Sequence, residues 1–135
     1  MDAAIHAALM AQIEAMALSV SIVVAYPGKG SEPEPEYLRA THLPNIPDRL
    51  GLSDRAMLSR QGILALDLFS EFGQHEAVYK ARGDAILAEF PLTLRLTAGS
   101  ATVHIAKTYQ LPGRADGARW FTPLRIEYRV SGATA

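Results

Sequence analysis

The chain has 135 residues, 49% of them hydrophobic and 20% charged, with no cysteine and a formal net charge of −1. That length is one domain's worth and enough to bury a core, and so high an apolar fraction with so little net charge excludes a disordered chain. The absence of Cys excludes disulfides, thiolate nucleophiles and zinc–thiolate sites, and the near-neutral charge argues against a general nucleic-acid binder.

From Ala3 to Tyr26 nearly every residue is apolar or small, broken only by His6, Gln12 and Glu14. A secretory signal needs a positive start, yet Asp2 is acidic and the first basic residue is Lys29. A membrane span would have to bury Glu14, at a cost of several kcal/mol. The pattern instead predicts a helix capped by Asp2, with Ile5, Leu9, Ile13 and Met16 along one face, and then a buried strand over Val20–Ala25. This reads as a soluble, cytoplasmic start with no membrane partner. Pro27 to Glu36, with three prolines, two glycines and three glutamates, is a loop in water. Tyr37 to Leu43 alternates as a strand, and Pro44 and Pro47 open a second long connection through about Met57. Long loops in a small domain are commonly where partners bind.

Leu58 to Phe69 is the next strand, with Leu64, Leu66 and Leu68 on one face and Ile63, Ala65, Asp67 and Phe69 on the other. Both faces are largely apolar, which predicts a central strand covered on both sides. Gln74 to Phe90 has helical periodicity, with Val78, Ala81, Ala85 and Ala88 as the expected inward stripe, widened by Ile86 and Phe90 and stopped by Pro91. Leu92, Leu94 and Leu96 alternate next, Ala98-Gly99 turns the chain, and Val103 and Ile105 complete a hairpin. Pro112 to Gly117 reads as a polar loop. In the last strand Leu124, Ile126, Tyr128 and Val130 alternate with Arg125, Glu127 and Arg129, giving one wet or partner-facing side, and Pro123 points to an edge strand or a bulge. The order α-β-β-β-α-β-β-β predicts a single α+β domain over residues 1–135: a mainly antiparallel sheet of about six strands with two helices.

The search for chemistry returns little. Gly28-Lys29-Gly30-Ser31 lacks the earlier glycine and the Ser or Thr after Lys that a phosphate loop needs, and it opens no helix. His6, His42, His75 and His104 show no ligand spacing, although His42 and His104 are candidates to face each other across the sheet. No G-x-S-x-G is present. Asp67, set in an apolar run, is the one carboxylate that invites a general-base reading, against the plainer role of an arginine partner. Charge is uneven: residues 1–57 hold four basic and seven acidic side chains, residues 58–135 nine and seven. Unlike patches of this kind suit head-to-tail packing between copies.

Tyr37-Leu38-Arg39-Ala40 after a Pro/Gly-rich loop, Arg60 through Gly62-Ile63 to Leu66-Asp67-Leu68-Phe69 before an Ala-rich helix ending at Phe90-Pro91, and Gly117 through Trp120 to Pro123-Leu124-Arg125-Ile126-Glu127-Tyr128-Arg129 form one pattern. It resembles the tail terminator (tail completion) proteins of long-tailed bacteriophages, over nearly the full chain and as a pattern of residue types. The resemblance implies a structural virion protein at the head-proximal end of the tail, assembled in the host cytoplasm. Its partners would be further copies of itself in a hexameric ring, the tail tube protein whose growth it ends, and a head-completion or connector protein. DNA would be met only as the genome passing through the lumen. The family offers no catalytic residues, no cofactor and no metal to carry over. A head–tail joining (neck) protein is the near alternative. A small α+β enzyme or ligand-binding domain using Asp67 with His42 or His104 is the more distant one, and it requires a closed apolar pocket where those side chains converge. The interface candidates are Lys29, Glu32 and Glu34 on the first long loop, Arg49 and Arg55 on the second, and Arg114 and Arg119 beside the last strand.

Overall fold

The chain opens with α1 (Asp2–Val20), 19 residues whose stripe Ile5, Leu9, Ile13 and Met16 is 0–3% exposed, the face its periodicity predicts. Ser21 then takes a left-handed φ of 54° and the Ile22 N–H donates to the Ala17 carbonyl at 3.1 Å. This six-to-one closure ends the helix, with buried Ile22 as the accompanying apolar contact. The cap consumes Ser21 and Ile22, so the expected strand over Val20–Ala25 shrinks to β1 (Val23–Ala25). The computed structural model describes residues 2–26, 36–44, 48–49 and 58–131.

There follow β2 (Tyr37–Pro44), β3 (Asp48–Arg49), β4 (Leu58–Glu71), α2 (Glu76–Leu87), β5 (Arg95–Ala98), β6 (Ala101–Gln110), β7 (Arg114–Asp116) and β8 (Arg119–Ser131). The sheet runs β1-β2-β4-β8-β6-β5, with β3 added on β4 and β7 on β8. Every pairing is antiparallel except β1 with β2, which is parallel. The architecture is α+β with a mixed sheet, in the order read from the sequence, plus the short strands β3 and β7 where the sequence predicts loops. β7 exists because β6 and β8 form one long hairpin, interrupted between Gln110 and Arg114 and closed at Gly117. Gly117 (φ 61°) here and Gly99 (φ 65°) between β5 and β6 stand first in two-residue turns, where a left-handed residue matches the twist of the strands.

One face of the sheet carries Leu38 and Ala40 of β2, Leu64, Leu66 and Leu68 of β4, Leu124, Ile126 and Tyr128 of β8, and Val103 and Ile105 of β6, all buried. Both helices lie on this face and close the core with the α1 stripe, Ile86 and Phe90. α2 presents Tyr79, Gly83 and Ile86 inward, which corrects the alanine stripe: Val78, Ala81, Ala85 and Ala88 point outward. The larger side chains remove more apolar area from water, and that outweighs a longer run of alanines. The helix also ends at Leu87, and Ala88–Phe90 close it with three-residue bonds from Glu89 to Ile86 and from Phe90 to Leu87.

β8 is an interior strand, flanked by β4 on one side and by β6 and β7 on the other, so Pro123 does not mark an edge. Its carbonyl accepts from the Leu111 N–H at 2.9 Å. In an antiparallel ladder a residue's N and O point the same way, so the missing donor faces the gap where β6 ends and not the β4 ladder.

Candidate functional site

Strand alternation places a second set of side chains on the opposite face, where no helix lies among the described residues. Successive cross-strand rows there read Glu71–Arg119–Asp116, then Tyr37–Phe69–Phe121–Arg114, then Arg39–Asp67–Pro123, then Thr41–Ala65–Arg125–Tyr109. Ala65, Asp67, Phe69 and Phe121 are all buried, and among the described residues it is neighbouring side chains that lie over them.

The aromatic row is continuous. Tyr37 stacks on Phe69 with ring centroids 4.8 Å apart and 10° between planes, and Phe69 meets Phe121 at 5.1 Å and 54°. Three guanidinium groups lie on these rings: Arg39 over Phe69 at 5.0 Å, Arg114 over Phe121 at 4.8 Å and Arg119 over Tyr37 at 4.8 Å. Their aliphatic stems cover apolar surface while the charged ends stay wet.

Asp67, 8% exposed, sits between two of the strands' arginines. Arg125 Nη1 donates to Asp67 Oδ1 at 2.9 Å, and Arg39 Nη2 stands 3.7 Å from Oδ2. With both oxygens facing cations, Asp67 is an arginine partner that fixes the floor of the face, and the plainer of its two sequence readings holds. Further along, the Glu127 carboxylate bonds the Tyr109 hydroxyl and pushes that phenol above its ordinary value, with burial adding to the shift.

The catalytic alternative loses its geometry. His42 lies on the helix-covered face, where its two ring nitrogens meet His6 Nδ1 (3.0 Å) and the Tyr128 hydroxyl, tying α1 to the sheet. His104 is on the open face beside Ser131, six residues of β4 register away from Asp67, about 20 Å. His42 and His104 therefore do not face each other. The cleft at His42, about 350 Å³ and shared with His6, Met10, Tyr26, Ala40 and Thr41, includes neither Asp67 nor His104. Among the described residues no group of three or more His, Asp or Glu side chains is placed to hold a metal.

Of the interface candidates named from the sequence, Arg114 is exposed above Phe121, and Arg119 is half-buried over Tyr37, in register with Glu71 and Asp116. Arg49 pairs with Leu58 through the backbone of β3. Lys29, Glu32, Glu34 and Arg55, and with them the Gly28–Ser31 stretch, lie outside the described residues. Sequence reasoning misses Arg39, Arg125 and the aromatic row as a unit. Alternation alone gives their faces, but only the strand order sets Tyr37, Phe69 and Phe121 side by side.

Charge sorts by face. The open face carries Arg39, Arg95, Lys107, Arg114, Arg119, Arg125 and Arg129 against Asp67, Glu71, Asp116 and Glu127. The helices and the turn after α2 carry Glu14, Glu76, Asp84 and Glu89 against Lys80 and Arg82. Among the described side chains the open face is thus net positive and the helix layer net negative, a division that cuts across the two halves of the chain.

Known proteins share this fold. One solved chain superposes over 100% of this protein and 99% of its own length, with a TM-score of 0.80 at 16% identity. A chain from the virion of a native gene transfer agent particle superposes over 93% of both chains, with a TM-score of 0.57 at 18% identity. At these identities the likeness is one of fold. No curated protein matches the sequence. The family model of the phage tail terminator proteins matches residues 4–128, and the chain belongs to that family.

Proposed function

We propose that this protein is a ring-forming subunit, hexameric when assembled, that caps the tail tube, ends tube polymerisation and offers its other surface to a head-completion or connector protein. The observation that carries the reading is the family match over residues 4–128, nearly the whole chain. Members of that family are structural virion proteins, and the site is in keeping with such a role: the open face is built of cations and aromatic rings, with the buried Asp67 carboxylate held between arginines. A surface with unlike layers suits heterologous contacts, in which one patch meets a different patch on the next copy and the series closes into a ring. The near-balance of charge keeps the passing genome from adhering, since DNA affinity grows with each phosphate neutralised.

Deletion of the gene from its phage or particle genome tests the reading. The expected result is tails of uncontrolled, excessive length that fail to join heads. Tails of normal length in the deletion would overturn it.

A further inference from the structure

α1 carries apolar residues on a side that its own subunit leaves exposed. Across Ala3–Val20 the mean hydropathy is 1.5, and 22% of that span is buried. Opposite its core stripe, Ala7, Ala11, Glu14 and Leu18 recur at spacings of three and four and are all exposed, Leu18 at 84%. A helix at a protein surface ordinarily turns a charged side to water, and one that is apolar all round is covered by something. The open sheet face has the converse deficit. Among the described residues its floor is covered by arginines and neighbouring rings with no second layer, and a sheet face with an apolar floor is ordinarily closed by one.

We propose that the outward side of α1 seats on the open sheet face of a second copy of this chain, its alanines and Leu18 over the Tyr37–Phe121 row and Glu14 among the cations led by Arg114. Charge complementarity selects this occupant: Glu14 is the one charged residue in Ala3–Val20, and the face it would meet holds, among the described residues, seven cations against four carboxylates. A membrane surface fits less well, because an interfacial helix carries Lys or Arg on its polar side and α1 has neither. The two surfaces lie in opposite layers of the subunit, so the contact is head-to-tail and leaves one of each unmated until the series closes. The inference rests on the ring reading above and names the surfaces that mate in it.

Full-length Glu14→Arg and Arg114→Glu variants, measured alone and mixed by native mass spectrometry and light scattering, test it. Each alone should keep wild-type circular dichroism and lose assembly, with a dissociation constant raised on the order of tenfold or more. A one-to-one mixture should assemble again, because the reversed helix of one variant meets the reversed sheet of the other and the remaining contacts are wild type. Leu18→Ser, which changes no charge, should weaken assembly in the same assay and serves if a reversal impairs folding. Folded variants that assemble as wild type, or a mixture that stays monomeric, would overturn the mating while leaving wild-type rings intact. Binding of the wild type to anionic phosphatidylglycerol vesicles that Leu18→Ser removes would assign α1 to lipid and overturn it as well. A wild-type chain that remains monomeric both in solution and on tail tubes would sink the ring reading itself.

Discussion

Along β4 two sets of side chains alternate, and both are buried, by unlike means. Leu64, Leu66 and Leu68 sit under α1 and α2 in a continuous apolar core, whereas Ala65, Asp67 and Phe69 sit under arginines and neighbouring rings. On the first face burial comes from area removed from water between packed elements, and each side chain is held by many neighbours at once. On the second it comes from long flexible side chains, each cation–π contact contributing about 0.5–1 kcal/mol at an exposed site. The first face is closed for good on folding. In the mating proposed above, the second would part its arginines to admit another surface, giving up contacts that are individually weak.

The two faces differ most at Leu66. Leu66→Ala leaves a cavity under the helices and should lower the unfolding free energy by about 3–4 kcal/mol, read as a fall in the denaturant midpoint with unchanged slope. If the loss were below about 1 kcal/mol, the helix layer would not be the packed core described. One residue along, Asp67→Ala removes the counter-ion of half-buried Arg125 and should cost less, about 2 kcal/mol, because Arg125 keeps access to water. A double-mutant cycle with Arg125→Met should recover part of that loss, since the cost comes from the cation left unpaired.

Much of the covered face is legible in the sequence, and little of the open one. The α1 stripe and the alternation of β4 and β8 follow from local periodicity, which a single segment carries whole. The inward side of α2 is legible only in part: Ile86 and Phe90 are inward as read, but alanines at helical spacing mimic an apolar stripe where Tyr79 and Gly83 hold the contact. Pro123 suggests an edge because its lost hydrogen bond shows in sequence, whereas the place where β6 ends does not. The aromatic row of Tyr37, Phe69 and Phe121 draws one residue from each of three strands far apart in the chain, and only strand order and register bring them together. Asp67 is visible as an oddity in an apolar run, but the arginines that explain it come from other strands.

A smaller effect concerns how the helix layer joins the sheet. Ser21 holds φ at 54° in the cap that turns α1 toward β1, a conformation that costs a residue with a Cβ about 1 kcal/mol or more and glycine almost nothing. Ser21→Gly should therefore stabilise the subunit by about 0.5–1 kcal/mol after the added freedom of the unfolded chain is counted, seen as a rise of a few degrees in Tm. A loss of stability would mean that the Ser21 side chain contributes more than the strain it bears.

The smallest effect is the most discriminating for the open face. Arg114 is exposed, lies 4.8 Å over Phe121, and stands at the end of the aromatic row, where the sheet has no further strand beside β7 among the described residues. Truncation to Ala removes a cation–π contact that water and neighbouring arginines largely replace, so Arg114→Ala should change the unfolding free energy by no more than about 0.5 kcal/mol. Leu66→Ala and Arg114→Ala then separate the two faces by the quantity each moves: the first lowers subunit stability, and the second leaves stability alone while weakening self-association by light scattering. A stability loss for Arg114→Ala as large as that for Asp67→Ala would show that the arginines hold the fold together. The open face would then be a second core closed by charged side chains, with no freedom left to receive a neighbour.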